Sequence, residues 1–229
     1  MQITLLTKKK EAQNAYSLIF SNDSNMQWIA GEYMLMTLPH ENPDDRGLER
    51  PFTISSSPKE GIVMLTTRYF DNESSSFKKA LFNLREGSKI EVLKPSNSDT
   101  FFNSKDPSRN YIFLTAGIGI TPVRSVVKDY SLNKLDLKGT LLYANKNDDY
   151  IFGEELEQIS NDMPNFTLQK YHGKRINRGV LEGLLKEYDS PIFNISGTKD
   201  FTNQMKEILL NQLKIDPTNV RTSSFGDGY

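Results

Sequence analysis

Residues 111–122 read Tyr-Ile-Phe-Leu-Thr-Ala-Gly-Ile-Gly-Ile-Thr-Pro. An apolar strand runs into Gly117-Ile118-Gly119, and Thr121-Pro122 opens a helix. Glycine tolerates unusual φ and lets a phosphate approach the backbone. Thr121 can cap the helix, and Pro122 suits its first position, where a missing N–H costs nothing. Free N–H groups and the helix dipole then favour an anion. Pro122 replaces the third Gly of the full dinucleotide fingerprint, so a plain tight strand–helix connection stays open as the alternative.

A second segment, Arg50-Pro51-Phe52-Thr53-Ile54-Ser55-Ser56-Ser57-Pro58, gathers a cation, an aromatic ring and several hydroxyls. Alternation puts Arg50, Phe52 and Ile54 on one face and Thr53 and Ser55 on the other. Arg can clamp a pyrophosphate through two parallel hydrogen bonds. Phe can cover an aromatic ring, and a hydroxyl can bond a ring nitrogen. An ordinary strand with a surface Arg is the competing reading.

The elements that must position these groups differ between the halves of the 229-residue chain. Residues 1–100 hold short strand-like runs (16–20, 33–38, 62–68, 90–93) punctuated by Pro and Gly, which suggests an antiparallel sheet or barrel. One helix, 74–84, interrupts them, with Ser as N-cap. Residues 110–229 alternate strands (111–115, 140–144, 166–169, 191–195, 220–224) with helices (122–130, 153–160, 179–187, 199–213). That alternation implies parallel strands joined by right-handed crossovers. The polar stretch 103–109 marks the boundary, giving domains 1–105 and 106–229. The expected fold is a six-stranded Greek-key barrel followed by a doubly wound α/β domain.

Composition excludes several chemistries. The chain has no Cys and two His, and its net charge is −1. Thiolate nucleophiles, disulfides and Cys-ligated iron–sulfur clusters are absent, and a His-rich metal site cannot form, so no metal is expected. The charge argues against nucleic acid as a partner. No apolar run approaches the roughly 18 residues of a membrane span, and the early charges fit no signal peptide, which reads as cytoplasmic. His40 and His172 read as surface residues, Asp44-Asp45 and Asp148-Asp149 as turn-formers, Trp28 as barrel packing, and Lys174, Arg175 and Arg178 as a solvated basic patch.

Taken in order, the segments resemble the ferredoxin–NADP reductase-like flavoprotein superfamily. Trp28-Ile-Ala-Gly31-Glu32-Tyr33 resembles its aromatic-x-x-Gly-Gln-Tyr/Phe strand, and Arg50-Pro-Phe52-Thr53 its Arg-x-Tyr-Ser/Thr flavin motif. Ser74-Ser75-Ser76 sits where the family binds the flavin pyrophosphate, and Leu84-Arg-Glu-Gly87-Ser88 resembles a Leu-x-x-Gly-Asp turn. Ala116-Gly117-Ile118-Gly119-Ile-Thr121-Pro122 is similar to the nicotinamide-dinucleotide loop, and Tyr143-Ala-Asn145-Lys146 to the strand end after it. Phe152-Gly-Glu154-Glu155-Leu156 resembles the following helix. Asn194-Ile-Ser196-Gly197-Thr198, with Met205, resembles the segment bordering the nicotinamide, and Ser224-Phe225-Gly-Asp-Gly-Tyr229 the family ending. The departures are Phe52 for Tyr, Ser196 for Cys, 95–101 without its Gly, and Ser223-Ser224 where an acid stands.

The resemblance implies FAD rather than FMN on the barrel, NADPH or NADH in the crevice, and hydride transfer from nicotinamide C4 to flavin N5, with electrons passed on to an unidentified acceptor. That acceptor would be a small redox protein or a partner subunit. Arg50, Pro51, Phe52, Thr53, Ile54, Ser55, Thr67, Arg68 and Ser74–Ser76 would hold the flavin. Gly117, Ile118, Gly119, Thr121, Pro122, Tyr143, Asn145, Lys146, Ser196, Gly197, Met205 and Phe225 would hold the dinucleotide. Thr53, Ser196 and Tyr229 would stand at the reacting rings, Tyr229 either as a stacked gate or as a frayed terminus. Lys146 leans the choice toward NADPH. Two other readings remain: a reductase using free flavin as substrate, and an inactive nucleotide-binding or electron-transfer subunit.

Overall fold

The computed structural model describes residues 1–71, 73–93, 95, 102 and 109–226. The expected domain boundary at 105 and Tyr229 lie outside the described residues, as does most of 95–101. The N-terminal half forms β1 (Gln2–Ala12), β2 (Ala15–Ser21), β3 (Tyr33–Thr37), β4 (Glu49–Thr53), β5 (Ile62–Arg68), α1 (Ser76–Asn83) and β6 (Lys89–Val92). All six strands join one antiparallel sheet in the order β4-β3-β6-β1-β2-β5. An antiparallel Ile54–Leu65 bridge links the two edge strands and closes the sheet. Closure leaves no open edge and encloses Ile3, Leu18, Phe20, Met34, Phe52 and Leu65 as a core. Trp28 belongs to that core, as expected.

The C-terminal half holds β7 (Tyr111–Ala116), α2 (Ile120–Leu132), β8 (Gly139–Asn145), α3 (Gly153–Asp162), β9 (Phe166–His172), α4 (Arg178–Glu187), β10 (Ile192–Thr198), α5 (Lys199–Lys206) and β11 (Val220–Phe225). A π-helical turn, Glu207–Gln212, extends α5. The sheet is parallel, in the order β11-β10-β7-β8-β9. Strands buried on both faces read as apolar runs rather than alternating ones, and Tyr111–Thr115 is buried throughout. One face packs on Val123, Val126 and Leu156 of α2 and α3. The other packs on Leu181, Leu184 and Met205 of α4 and α5.

The chain begins this sheet at β7, winds outward through β8 and β9, then returns to place β10 on the other side of β7. The winding therefore reverses between β7 and β10. Open α/β sheets bind ligands beyond the carboxyl ends of the strands at such a switch point. Here those ends are Ala116-Gly117 and Gly197-Thr198.

Candidate functional site

The switch point opens into a crevice of about 610 Å³, within the usual range for a small-molecule site, lined by Gly117, Ile118, Asn145, Lys146 and Thr198 and, from the barrel, by Asn14, Arg68 and Phe70. A larger groove of about 730 Å³ runs between the domains past Lys10, Glu60, Arg124, Tyr150 and Glu155. Its walls are largely paired charges of the domain interface, so the chemistry is assigned to the smaller crevice.

Gly117 has φ +52°, and Arg68 Nη2 lies 3.4 Å from where a Cβ on Gly117 would stand. The turn therefore brings bare backbone against a cation. Gly119 serves packing instead: a Cβ there would lie 2.3 Å from the Ser196 carbonyl oxygen and 2.7 Å from Gly197 Cα. The two glycines thus stand in different surroundings, one against a cation and one against the backbone of β10. Tyr143, fully buried, donates from its hydroxyl to the Gly117 carbonyl at 3.1 Å, and burial pushes its pKa upward. It braces the turn from below.

The helix after the turn starts earlier than its sequence suggests. A 3-10 turn, Gly117–Gly119, leads directly into α2 at Ile120, with Gly119 as N-cap. Thr121 is therefore not the cap, and Pro122 stands third rather than first. The third position also has no intrahelical N–H bond to lose, so Pro122 is tolerated. Among the described residues, the buried hydroxyls of Thr121, Ser196 and Thr115 and the buried side-chain amide of Asn194 have no hydrogen-bond partner. Ser196 and Thr115 face each other in register across β10 and β7. This unpaired polar row lies beneath the turn, while Thr198 reaches the crevice. Met205 packs in the α4–α5 core, and Phe225 pairs with Thr198 at the sheet end. Asn145 donates to Asn147 and to the Asp149 carbonyl, at 3.0 and 2.9 Å.

On the barrel, α1 is capped by Ser75, whose hydroxyl accepts from Lys78 N–H at 3.3 Å. Ser74 Oγ accepts from Phe70 N–H at 2.9 Å, and Ser76 Oγ bonds His40 Nε2 at 3.1 Å. His40 is thus partly buried and engaged, not a free surface residue. Beside them Lys78 is 6% exposed. Its burial, with Arg46 and Arg68 nearby, pushes its pKa down to about 8. A buried ammonium among like charges at a helix N-terminus is the donor set that a pyrophosphate satisfies. The residues present therefore fit an anionic dinucleotide cofactor.

The Arg-Pro-Phe-Thr segment divides its work. Arg50 and Phe52 turn inward, Phe52 against Phe77 of α1 at 5.9 Å between ring centroids. Pro51 is exposed, Thr53 is half-buried, and Thr67 is buried at the end of β5. Ile54 belongs to the barrel closure. Ser55, Ser56 and Ser57 reach the other domain: the Ser55 carbonyl accepts from Arg124 at 3.1 Å, the Ser56 carbonyl from Ser125 Oγ at 2.7 Å, and Ser57 Oγ donates to Asp129 at 2.6 Å. The backbone of Ser55 and Ser56 and the hydroxyl of Ser57 thus join the two domains.

Sequence reasoning missed Arg124, Lys78, Phe70 and Asn14. Lys78 alone had a visible signal, two residues past the serine cluster. Arg124 is 5% exposed and binds Glu60 at 2.5 and 2.9 Å and Glu155 at 2.8 and 2.9 Å. Burial opposes its charge, but both carboxylates outweigh burial and raise its pKa.

Comparisons with known proteins agree with this architecture. Residues 113–191 match the family described as the oxidoreductase NAD-binding domain. The chain is 27% identical to the ferredoxin reductase component of 3-ketosteroid-9-alpha-monooxygenase from Mycobacterium tuberculosis, over 94% of this chain and 62% of that protein. It is 25% identical to one component of the Na(+)-translocating NADH-quinone reductase of Neisseria meningitidis, over 80% of this chain and 50% of that one. The chain thus spans one half to three-fifths of these relatives. Ferredoxin-NADP+ reductase from Plasmodium falciparum superimposes with a TM-score of 0.79 at 17% identity, covering 98% of this chain and 95% of that one. The flavohem-like FAD/NAD binding domain of nitric oxide dioxygenase from Vibrio cholerae gives 0.79 at 16%, covering 98% of both. Residues 113–191 thus match an oxidoreductase NAD-binding domain, and the closed barrel followed by a parallel sheet has the fold of the ferredoxin-NADP+ reductase and the flavohem-like FAD/NAD binding domain.

Proposed function

We propose that the protein is a flavin-dependent NAD(P)H oxidoreductase, with FAD rather than FMN on the barrel, a nicotinamide dinucleotide in the switch-point crevice, and an electron acceptor outside this chain. The observation that carries this reading is the position of Arg68. Its guanidinium stands against Gly117 in the crevice and also adds to the positive field on Lys78. Two anion sites, one on each domain, therefore converge on one side chain. Bound flavin supplies acceptance of a hydride from reduced nicotinamide and onward release of the electrons.

The chain's own part is binding and alignment. Lys78 and the first turn of α1 hold the flavin pyrophosphate, and Thr53 offers a hydroxyl at the end of β4. Gly117-Ile118 and the amides that open the 3-10 turn hold the dinucleotide phosphates. Lys146, at the crevice wall, pairs the 2′-phosphate and favours NADPH over NADH. The names of the two relatives, a ferredoxin reductase component and a component of an NADH-quinone reductase, support delivery to a separate redox protein or partner subunit. With no Cys in the chain, any Cys-ligated relay lies outside these 229 residues.

A second reading, reduction of exchangeable free flavin, is favoured by the Arg50 guanidinium, whose Nη1 donors go to backbone carbonyls and whose Nη2 is held by the Asp44 carboxylate. NADPH oxidation with ferricyanide as artificial acceptor separates the readings. Activity in flavin-free protein only after adding stoichiometric FAD supports a bound cofactor. Turnover that saturates with micromolar excess flavin supports the second reading. No oxidation under either condition overturns both.

A further inference from the structure

Arg50 sits at the start of β4, 5% exposed, where it could reach the anion site at α1: its guanidinium carbon lies 5.1 Å above the ring of Phe77, the second residue of that helix. Much of its hydrogen-bonding capacity is directed into its own loop. Nη1 donates to the carbonyls of Arg46, Gly47 and Glu49 at 2.9, 3.0 and 2.7 Å. Nη2 donates to the Asp44 carboxylate at 2.5 Å. Asp44 is held in turn by Arg46, through the side chain at 2.8 Å and the backbone N–H at 3.0 Å. The loop carrying Asp44 is tied to α1 from its other end, because the His40 ring shares a hydrogen bond with the hydroxyl of Ser76 at the first position of the helix.

Thus the cations nearest the α1 terminus fall into two groups. Lys78 has cations around it, Arg46 and Arg68. Arg50 and Arg46 share one carboxylate, and that carboxylate is 27% exposed at the loop surface. A guanidinium has five N–H donors. Three carbonyls take both Nη1 hydrogens and the carboxylate takes one on Nη2, so a second anion is left with Nε and the other Nη2 hydrogen, beside a negative charge that opposes it.

We propose that Asp44 is a built-in anion that competes with the flavin phosphates for Arg50, so that the flavin is held exchangeably. The inference rests on the reading of the barrel as a flavin site and adds a residue that sets how tightly phosphorylated flavin is kept. Asp44 sets affinity through Arg50 and does not touch the reacting rings; it is a positioning residue. Because it competes only for phosphate, its effect vanishes for a flavin without one.

The test compares wild-type protein and Asp44→Asn, each stripped of flavin, by fluorescence titration with FAD, FMN and riboflavin at low and high salt. The asparagine keeps the side chain's size and its bond to the Arg46 N–H while removing the charge. The expected result is FAD and FMN bound five- to twentyfold more tightly by Asp44→Asn, with riboflavin affinity unchanged within twofold and the difference shrinking as salt rises. Equal or weaker FAD binding by a variant that still binds riboflavin like the wild type overturns the inference alone. A parallel gain for all three flavins also overturns it, since that is a loop-packing effect. Failure of both proteins to bind any flavin overturns the inference together with the reading beneath it.

Discussion

Arg124 of α2 grips Glu60, in the 3-10 turn before β5, through both terminal nitrogens, at 2.5 and 2.9 Å. The pair joins the two domains. Arg124 also binds Glu155 on α3, and Lys128 binds the same carboxylate at 2.9 Å. The neighbouring Ser57–Asp129 and Ser56–Ser125 bonds reinforce the seam. One guanidinium thereby fixes the angle between barrel and parallel sheet, and with it the width of the crevice on the far side.

Removing that guanidinium leaves Glu60 partly buried without its ion pair and Glu155 with Lys128 alone. Breaking a buried ion pair from one side costs about 3–5 kcal/mol. Arg124→Met is expected to lower stability by about 3 kcal/mol in urea titration and to raise KM for nicotinamide more than it lowers kcat. A variant as stable as the wild type with unchanged KM contradicts the keystone role.

The same network predicts a response to acid. Burial raises the pKa of Glu155, but bonds from Arg124 and Lys128 outweigh it and hold the folded value below 4.5. The folded state therefore binds the proton less readily than the unfolded chain. Its contribution to stability is complete above about pH 4.5 and is lost as the pH falls through the lowered folded value. Urea midpoints followed from pH 6 to pH 3 should decline more steeply in wild type than in Glu155→Gln; matching slopes contradict the assignment.

The two turn glycines separate cleanly. Gly119→Ala drives a methyl into the β10 backbone, which cannot move aside as a side chain can. Overpacking of this kind costs about 1–3 kcal/mol or more. Gly117→Ala meets open space apart from Arg68 and suffers the left-handed φ, a cost of about 1 kcal/mol. Thermal melts should show the larger loss at Gly119, while dinucleotide affinity should fall more per unit of stability lost at Gly117. The reverse order contradicts the division of roles.

Lys78 predicts how flavin affinity varies with pH. Its pKa of about 8 in the flavin-free protein must rise when an anion binds beside it. Affinity for FAD is therefore fully present below pH 8 and declines as the pH climbs above it. Lys78→Met should weaken FAD at pH 7 and flatten that decline, with riboflavin insensitive in both proteins. A flat wild-type profile contradicts the placement of the pyrophosphate at α1.

Much of this is legible in the sequence because the apolar runs are long and cleanly interrupted. The α/β alternation from Tyr111 onward, the Gly117–Pro122 turn and Ser75 at the head of α1 all stand where local pattern puts them. What is not legible depends on contacts distant in sequence. Ser55–Ser57 read as cofactor hydroxyls because composition cannot show that α2 lies opposite them. Arg124 sits on a helix like any surface Arg, and only Glu60, 64 residues earlier, makes it a keystone. Thr121 reads as a cap because its type favours one, yet the 3-10 turn before it extends the helix and moves the cap to Gly119.

A flavin ring on the barrel that receives reducing equivalents from a nicotinamide in the crevice has a direct optical signature. The absorption spectrum of the protein reconstituted with FAD, recorded before and after anaerobic NADPH, reads both binding and hydride transfer. The predicted result is a bound-flavin band near that of free flavin but shifted in shape, bleached by NADPH within seconds. A band identical to free FAD, or one that NADPH leaves unbleached, contradicts the proposed chemistry.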